Sequence, residues 1–121
     1  GSIVNISSTV GLVGTAGMPA YCASKGAVSN LTRAMAVDHA AENIRINAVC
    51  PGAVDTPMLQ SERAHDPMTA DEVFAMNLAT IPQGRIPTAE EVATIIVWLA
   101  SDQAAHLVGA LIPVDGGYTA Q

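Results

Sequence analysis

The chain has 121 residues, half of them hydrophobic and 13% charged, too apolar for disorder and long enough for the modest core of one domain or less. Its formal charge of -6 sets 11 acidic against five basic side chains, so the clustered Lys and Arg that a nucleic-acid backbone demands are missing. No uninterrupted apolar run approaches a membrane span, and a soluble, core-rich chain without nucleic-acid or membrane partners is expected.

In chain order, Ile3-Val4-Asn5-Ile6 is a short β-branched run bounded by Gly and Ser, which predicts a strand buried on both faces. Ser7 and Ser8 then stand at its carboxyl end, where open parallel sheets bind ligands. A serine turn bonding its own backbone is the other reading of Ser8. Gly11, Gly14 and Gly17 recur without the G-x-G-x-x-G pattern of a phosphate loop, so a flexible or close-packed loop is expected.

Pro19 suits the first turn of a helix running to about residue 41, with Ala27, Val28, Leu31 and Met35 at helical spacing. Between Tyr21 and Val37 only Lys25 and Arg33 carry charge. Such a helix has no conventional solvated face, so one side is expected to pack on the sheet and another on a partner helix.

Ile44 to Val49 alternates apolar with polar and predicts a second strand, parallel to the first across the helix and ended by Pro51-Gly52. From Pro57 to about Gly84, Met58, Met68 and Met76 stand among polar residues, and a capping box at Thr69 and Glu72 opens a short helix. Adaptable thioethers there fit either a flap over a substrate or a loosely packed helical excursion. A second capping box, Thr88 with Glu91, opens an amphipathic helix with Val92, Ile95, Ile96 and Leu99 inward and Trp98 as a packing residue. Ala110 to Val114 completes the set as a strand whose Pro113 implies an edge or strand-start position, before the Asp115-Gly116-Gly117 turn.

Cys22 and Cys50 make no metal-ligand spacing, and free thiols in a reducing cytoplasm are expected, although sequence leaves a disulfide between them open. His39, His65 and His106 are scattered surface or loop positions, so no metal site is expected.

Lys25 is the only lysine, and by chance it would follow one of the two tyrosines by four residues in roughly two chains per hundred. On a helix that spacing puts the ammonium beside the Tyr21 phenol. At about 4 Å and an effective dielectric near 20, a unit charge is worth roughly 4 kcal/mol, enough in principle to bring a phenol toward neutral proton exchange.

Ser8, Tyr21 and Lys25 at these spacings resemble the short-chain dehydrogenase/reductase family, and the neighbours agree. The strand Ser2 to Ser8, the turn Cys50-Pro51-Gly52-Ala53-Val54-Asp55-Thr56 and the tail Val114-Asp115-Gly116-Gly117 stand in that family's order across essentially the whole chain. The resemblance implies a Rossmann-like doubly wound parallel sheet, of which residues 1–121 are the C-terminal portion with about three strands. It further implies a hydride-transferring enzyme that uses NAD or NADP on a small carbonyl or alcohol substrate. Tyr21 is then the general acid/base, Lys25 tunes it and holds the nicotinamide ribose, and Ser8 binds the reacting oxygen. Tyr21, Lys25, Pro51, Gly52, Val54 and Thr56 would contact the cofactor. The family places the helix bearing Tyr21 in a dimer interface, which implies a homo-oligomer.

The family's glycine-rich phosphate turn and its catalytic asparagine are expected upstream of Gly1. A catalytically incompetent fragment or assembly module is therefore a second reading. A Ser-Lys hydrolase using Ser8 and Lys25 is a third, weakened by the Tyr21 pairing and the lack of a G-x-S-x-G elbow.

Overall fold

The computed structural model describes residues 1–64 and 68–121; His65 lies outside them. Three strands, β1 (Ser2–Ile6), β2 (Arg45–Pro51) and β3 (Leu111–Val114), form one parallel sheet in the order β1-β2-β3. Helix α1 (Pro19–His39) joins β1 to β2. Helices α2 (Pro57–Ala64), α3 (Ala70–Thr80) and α4 (Ala89–Ala100) lie between β2 and β3.

The pleat separates two faces, because successive side chains alternate and paired residues share a side. Val4, Val49 and Ile112 join Val92 and Leu99 of α4, with Ile95, Ile96 and Leu107 packed around them, in the main apolar core. Asn5 and Ser7 point the other way and bond Thr32 and Ser29 of α1. Helices therefore cover both faces, as in a doubly wound sheet. The central strand β2 is buried from Ile46 to Pro51, whereas β1 and β3 are edges. Pro113 on β3 bears out the edge expected from its missing N–H.

One expectation changes, and one choice the spacing left open is made. Strand β1 is not buried on both faces: Ile3 is 40% and Ile6 45% exposed, one on each face, because no strand among the described residues pairs with its outer edge. On α1 the buried residues are Ser29, Thr32 and Ala36, which fixes the side of the helix that packs on the sheet. The strand face below them carries Asn5 and Ser7, so small hydroxyl residues fit there and bond, while Leu31 and Val37 are left 54% and 77% exposed.

Both capping boxes form as read: Thr69 Oγ1 accepts from Glu72 N, Thr88 Oγ1 accepts from Glu91 N, and each glutamate accepts in return from its cap residue's backbone N–H. The bidentate Arg85–Glu91 pair, at 2.6 and 2.7 Å, adds to the cap and lowers the Glu91 carboxyl to about 2. Trp98 is 38% exposed and so packs less than expected, whereas its neighbour Leu99 is fully buried.

At the other end of α4, Arg45 gathers the carbonyls that a helix terminus leaves unpaired. Its Nη1 donates to Leu99 O at 2.9 Å and Ala104 O at 3.0 Å, and its Nη2 to Ser101 O at 2.9 Å and Ala100 O at 3.4 Å. A cation there also meets the negative end of the helix dipole, so β2 and α4 are locked at the pole opposite the site. Among the described residues no helix is long and apolar enough to cross a membrane.

Candidate functional site

The carboxyl ends of β1 and β2 meet in a small polar region. Ser7 N donates to Val49 O at 2.9 Å, and Ser7, Ser8 and Thr9 are all buried. Ser8 caps the short 3-10 turn Thr9–Gly11 by accepting from Val10 N at 3.3 Å, and its hydroxyl reaches Pro51 O at 3.4 Å. The local-turn reading of Ser8 is thus realised. Both bonds are long, however, and a bond of this length is weak enough for a better acceptor to replace it.

Pro19 supplies the fixed φ of a first helical turn, and the helix it starts carries Tyr21 and Lys25 past the end of β1. Tyr21 is 44% exposed. The Lys25 ammonium lies 5.7 Å from the centre of the Tyr21 ring and donates to the Ile6 carbonyl at 3.1 Å. The i, i+4 contact therefore forms over the ring face, while the ammonium's hydrogen bond goes to the backbone of β1. Among the described residues no hydrogen bond joins Ser8 to Tyr21 or to Lys25.

The turn after β2 brings the next predicted group to the same end of the sheet. Gly52 backs onto Asp115 and Thr9, where an added Cβ would stand 3.4 Å from the Asp115 side chain, and Gly52 N donates to Val114 O at 3.2 Å. Thr56 Oγ1 donates to Val54 O at 3.3 Å, and Asp55 N donates to Pro87 O at 3.0 Å, tying the turn to the start of α4. A cavity of about 410 Å³ lined by Asp55, Phe74, Leu78, Gly84, Arg85 and Ile86 opens beside it; none of Ser8, Tyr21 and Lys25 lines it.

Asp115 is buried and accepts from Gly117 N at 3.0 Å, Thr119 N at 2.9 Å and Thr119 Oγ1 at 2.6 Å; the turn needs Gly116 and Gly117, both at positive φ. Burial pushes its carboxyl up, but the bonds from Thr119 and Gly117 outweigh this and hold it below the usual carboxylate range. The folded-state value lies below the unfolded one. Asp115 therefore contributes stability that is present above an unfolded pKa of about 3.9 and is lost as pH falls through the folded value. Denaturant melts taken from about pH 5 down to about pH 2 should show a fall in stability that Asp115→Asn makes shallower. Equal slopes in the two proteins would exclude Asp115 as a source of that acid sensitivity.

Cys22 and Cys50 are free. Burial raises the Cys50 thiol, an effect that Ser7, Arg33, Ser8 and Ser29 only partly oppose, so it stays protonated and unreactive at neutral pH. Of the histidines, His39 pairs with Glu42 at 3.3 Å and His106 is exposed, and no metal-binding cluster occurs among the described residues.

Sequence reading placed Ser7 at the strand end without giving it a partner, and it missed Ser29 and Thr32. Their signal was present: Lys25, Ser29, Thr32 and Ala36 follow one another at four, three and four residues, a narrow stripe of small or polar groups down one side of α1.

A parallel sheet covered on both faces, with its polar residues gathered beyond the carboxyl ends of the strands, is a Rossmann-like α/β architecture. The family model described as enoyl-(acyl carrier protein) reductase matches residues 1–119. The chain belongs to this family of short-chain dehydrogenases and reductases. It is 51% identical over 121 residues to 2-(S)-hydroxypropyl-CoM dehydrogenase 3 of Xanthobacter autotrophicus, covering 99% of this chain and 47% of that protein. The crystal structure of a short chain dehydrogenase family protein from Francisella tularensis superposes with a TM-score of 0.90 at 37% identity, over 99% of this chain and 51% of that one. A protein described as a 2-deoxy-D-gluconate 3-dehydrogenase from Agrobacterium tumefaciens, solved with bound NADP, gives a TM-score of 0.88 at 36% identity, over 100% and 47%. The chain spans about half the length of the curated relatives it matches.

Proposed function

We propose that residues 1–121 are the catalytic portion of an NAD- or NADP-dependent oxidoreductase that interconverts a small carbonyl compound and a secondary alcohol. The observation that supports this best is the Tyr21–Lys25 pair, with the ammonium over the ring and anchored to Ile6 O, at the sheet end where Ser8 also sits. In the reducing direction the Tyr21 hydroxyl gives its proton to the carbonyl oxygen, and the Lys25 ammonium stabilises the negative charge left on the phenol. The Ser8 hydroxyl leaves its long contact with Pro51 O and donates to the same reacting oxygen. A nicotinamide cofactor, when held beside these residues, would supply or accept the hydride.

The residues present fit the nicotinamide end of such a cofactor. Gly52 keeps the turn flush against Asp115 and Thr9, and the backbone at Pro51, Gly52 and Val54 with the Thr56 hydroxyl offers polar groups beside it. Lys25 carries three N–H donors, of which Ile6 O takes one, leaving the others for a ribose. In the protein that carries this chain, consumption of NADH or NADPH with a panel of ketones tests the activity. Lys25→Ala should lower turnover and also weaken cofactor binding; a variant unchanged in both would remove Lys25 from the site.

The half-length match favours a second reading, in which the chain alone is an incompetent module of such an enzyme. The Ser-Lys hydrolase fares worse, since Lys25 Nζ donates to Ile6 O and Ser8 Oγ to Pro51 O rather than to each other. The outward face of α1, with Leu31 and Val37 bare, favours a homo-oligomer, and the two free cysteines suit a reducing cytoplasm. Sedimentation of the intact protein at micromolar concentration should show a dimer or tetramer; a monomer would refute the interface.

A further inference from the structure

The first turns of α1 are held to the end of β1 by a buried hydroxyl pair. Ser7, 3% exposed, donates from Oγ to the Lys25 carbonyl at 2.9 Å, and its oxygen lies 2.8 Å from Oγ of Ser29, which is 2% exposed. A carbonyl can only accept, so the single Ser7 hydroxyl proton goes to Lys25 and Ser29 must be the donor within the pair. The result is a relay from Ser29 through Ser7 to Lys25 O, each bond polarising the next in a dry setting.

Lys25 is consequently tied to two consecutive residues of one strand end: its carbonyl to Ser7, its ammonium to Ile6 O at 3.1 Å. Gly11 closes the remaining side. A Cβ at Gly11 would stand 2.6 Å from Ser7 Oγ and 2.7 and 2.8 Å from the Lys25 carbonyl atoms, so the 3-10 turn presses directly on this junction. Ser7 itself is fixed to β2 through Val49 O. Tyr21 lies one helical turn before Lys25, so whatever sets the register of Lys25 on β1 also sets the phenol.

We propose that Ser7 is a positioning residue for the Tyr21–Lys25 pair and that Ser29 acts through it, an inference that rests on the oxidoreductase reading above. A misplacement of about 1 Å in a reacting group can cost on the order of a hundredfold in rate. In the intact protein, Ser7→Ala should lower kcat by about tenfold or more and shift its pH profile, with less than about threefold change in KM for the carbonyl substrate. Ser29→Ala, the milder variant should Ser7→Ala fold poorly, should lower kcat about two- to fivefold, and the double variant should be no worse than Ser7→Ala.

A readout independent of catalysis accompanies these. Hydrogen exchange of the amides from 19 to 29 should quicken by about tenfold in Ser7→Ala, or by a smaller local increase in Ser29→Ala, with β2 unchanged. Wild-type kcat and pH profile in folded variants, or exchange that quickens uniformly along the chain, would overturn the positioning role and leave only a structural anchor. Tyr21→Phe run in parallel separates the two levels: retained turnover there would sink the oxidoreductase reading, while the local exchange result still decides the clamp.

Discussion

Replacing Tyr21 by Phe in the intact protein is expected to lower turnover at least about a hundredfold, the usual scale for losing a general acid/base. The substitution keeps the ring that Lys25 covers at 5.7 Å and deletes only the hydroxyl. Tyr21 is 44% exposed, so no buried cavity opens, and folding and cofactor affinity should stay near those of the unmodified protein. The loss should fall on kcat, because the missing proton matters only in the transition state. Steady-state kinetics beside calorimetric titration of the cofactor reads both quantities. Turnover within a few fold of the parent would take Tyr21 out of the mechanism.

The second large effect concerns the 121-residue chain by itself, which is expected to bind neither NAD(H) nor NADP(H) saturably below millimolar concentration and to reduce no carbonyl. Its sequence contains no G-x-G-x-x-G turn for a pyrophosphate, and the proposed contacts at Lys25, Val54 and Thr56 reach only the nicotinamide end. Orientation of the reactants can supply roughly 7 to 11 kcal/mol of a barrier, and half a cofactor site provides little of it. The outer edge of β1 adds a second difficulty. Its backbone groups face outward beside the half-exposed Ile3 and Ile6, which invites pairing with other chains. Calorimetry on a monodisperse sample checks the expectation, and tight nucleotide binding would require a site elsewhere in the chain.

Much of the fold was legible because it rests on short-range rules. Pro19 opens α1, and Thr69 with Glu72 and Thr88 with Glu91 open α3 and α4, since a cap is satisfied within one turn of its own helix. The apolar spacing of Val92, Ile95, Ile96 and Leu99 named the buried side of α4 because an apolar sheet face awaits it. Pro113 marked an edge because its missing N–H excludes it from a central strand. The Tyr21–Lys25 contact followed from helical geometry alone, and the family's motifs marked the chain order of the site.

What sequence could not settle lies in contacts between distant residues. The spacing rule that named the buried side of α4 left open which side of α1 meets the sheet; Ser29, Thr32 and Ala36 are buried there while Leu31 is exposed. Which stripe packs depends on the strand face opposite, where Asn5 and Ser7 bond Thr32 and Ser29. The destination of the Lys25 ammonium was likewise undecided, since Tyr21 lies on its own helix but Ile6 O is 19 residues away. Arg45 is in sequence one polar residue of an alternating strand, and it holds four carbonyls 54 to 59 residues further on. Local sequence determined which elements form and where they begin, because caps, prolines and periodicity act within a turn or two. Only the packing of helices on the two sheet faces decided which hydroxyls are buried together and which charge meets which carbonyl, because those partners come together only once the chain has closed.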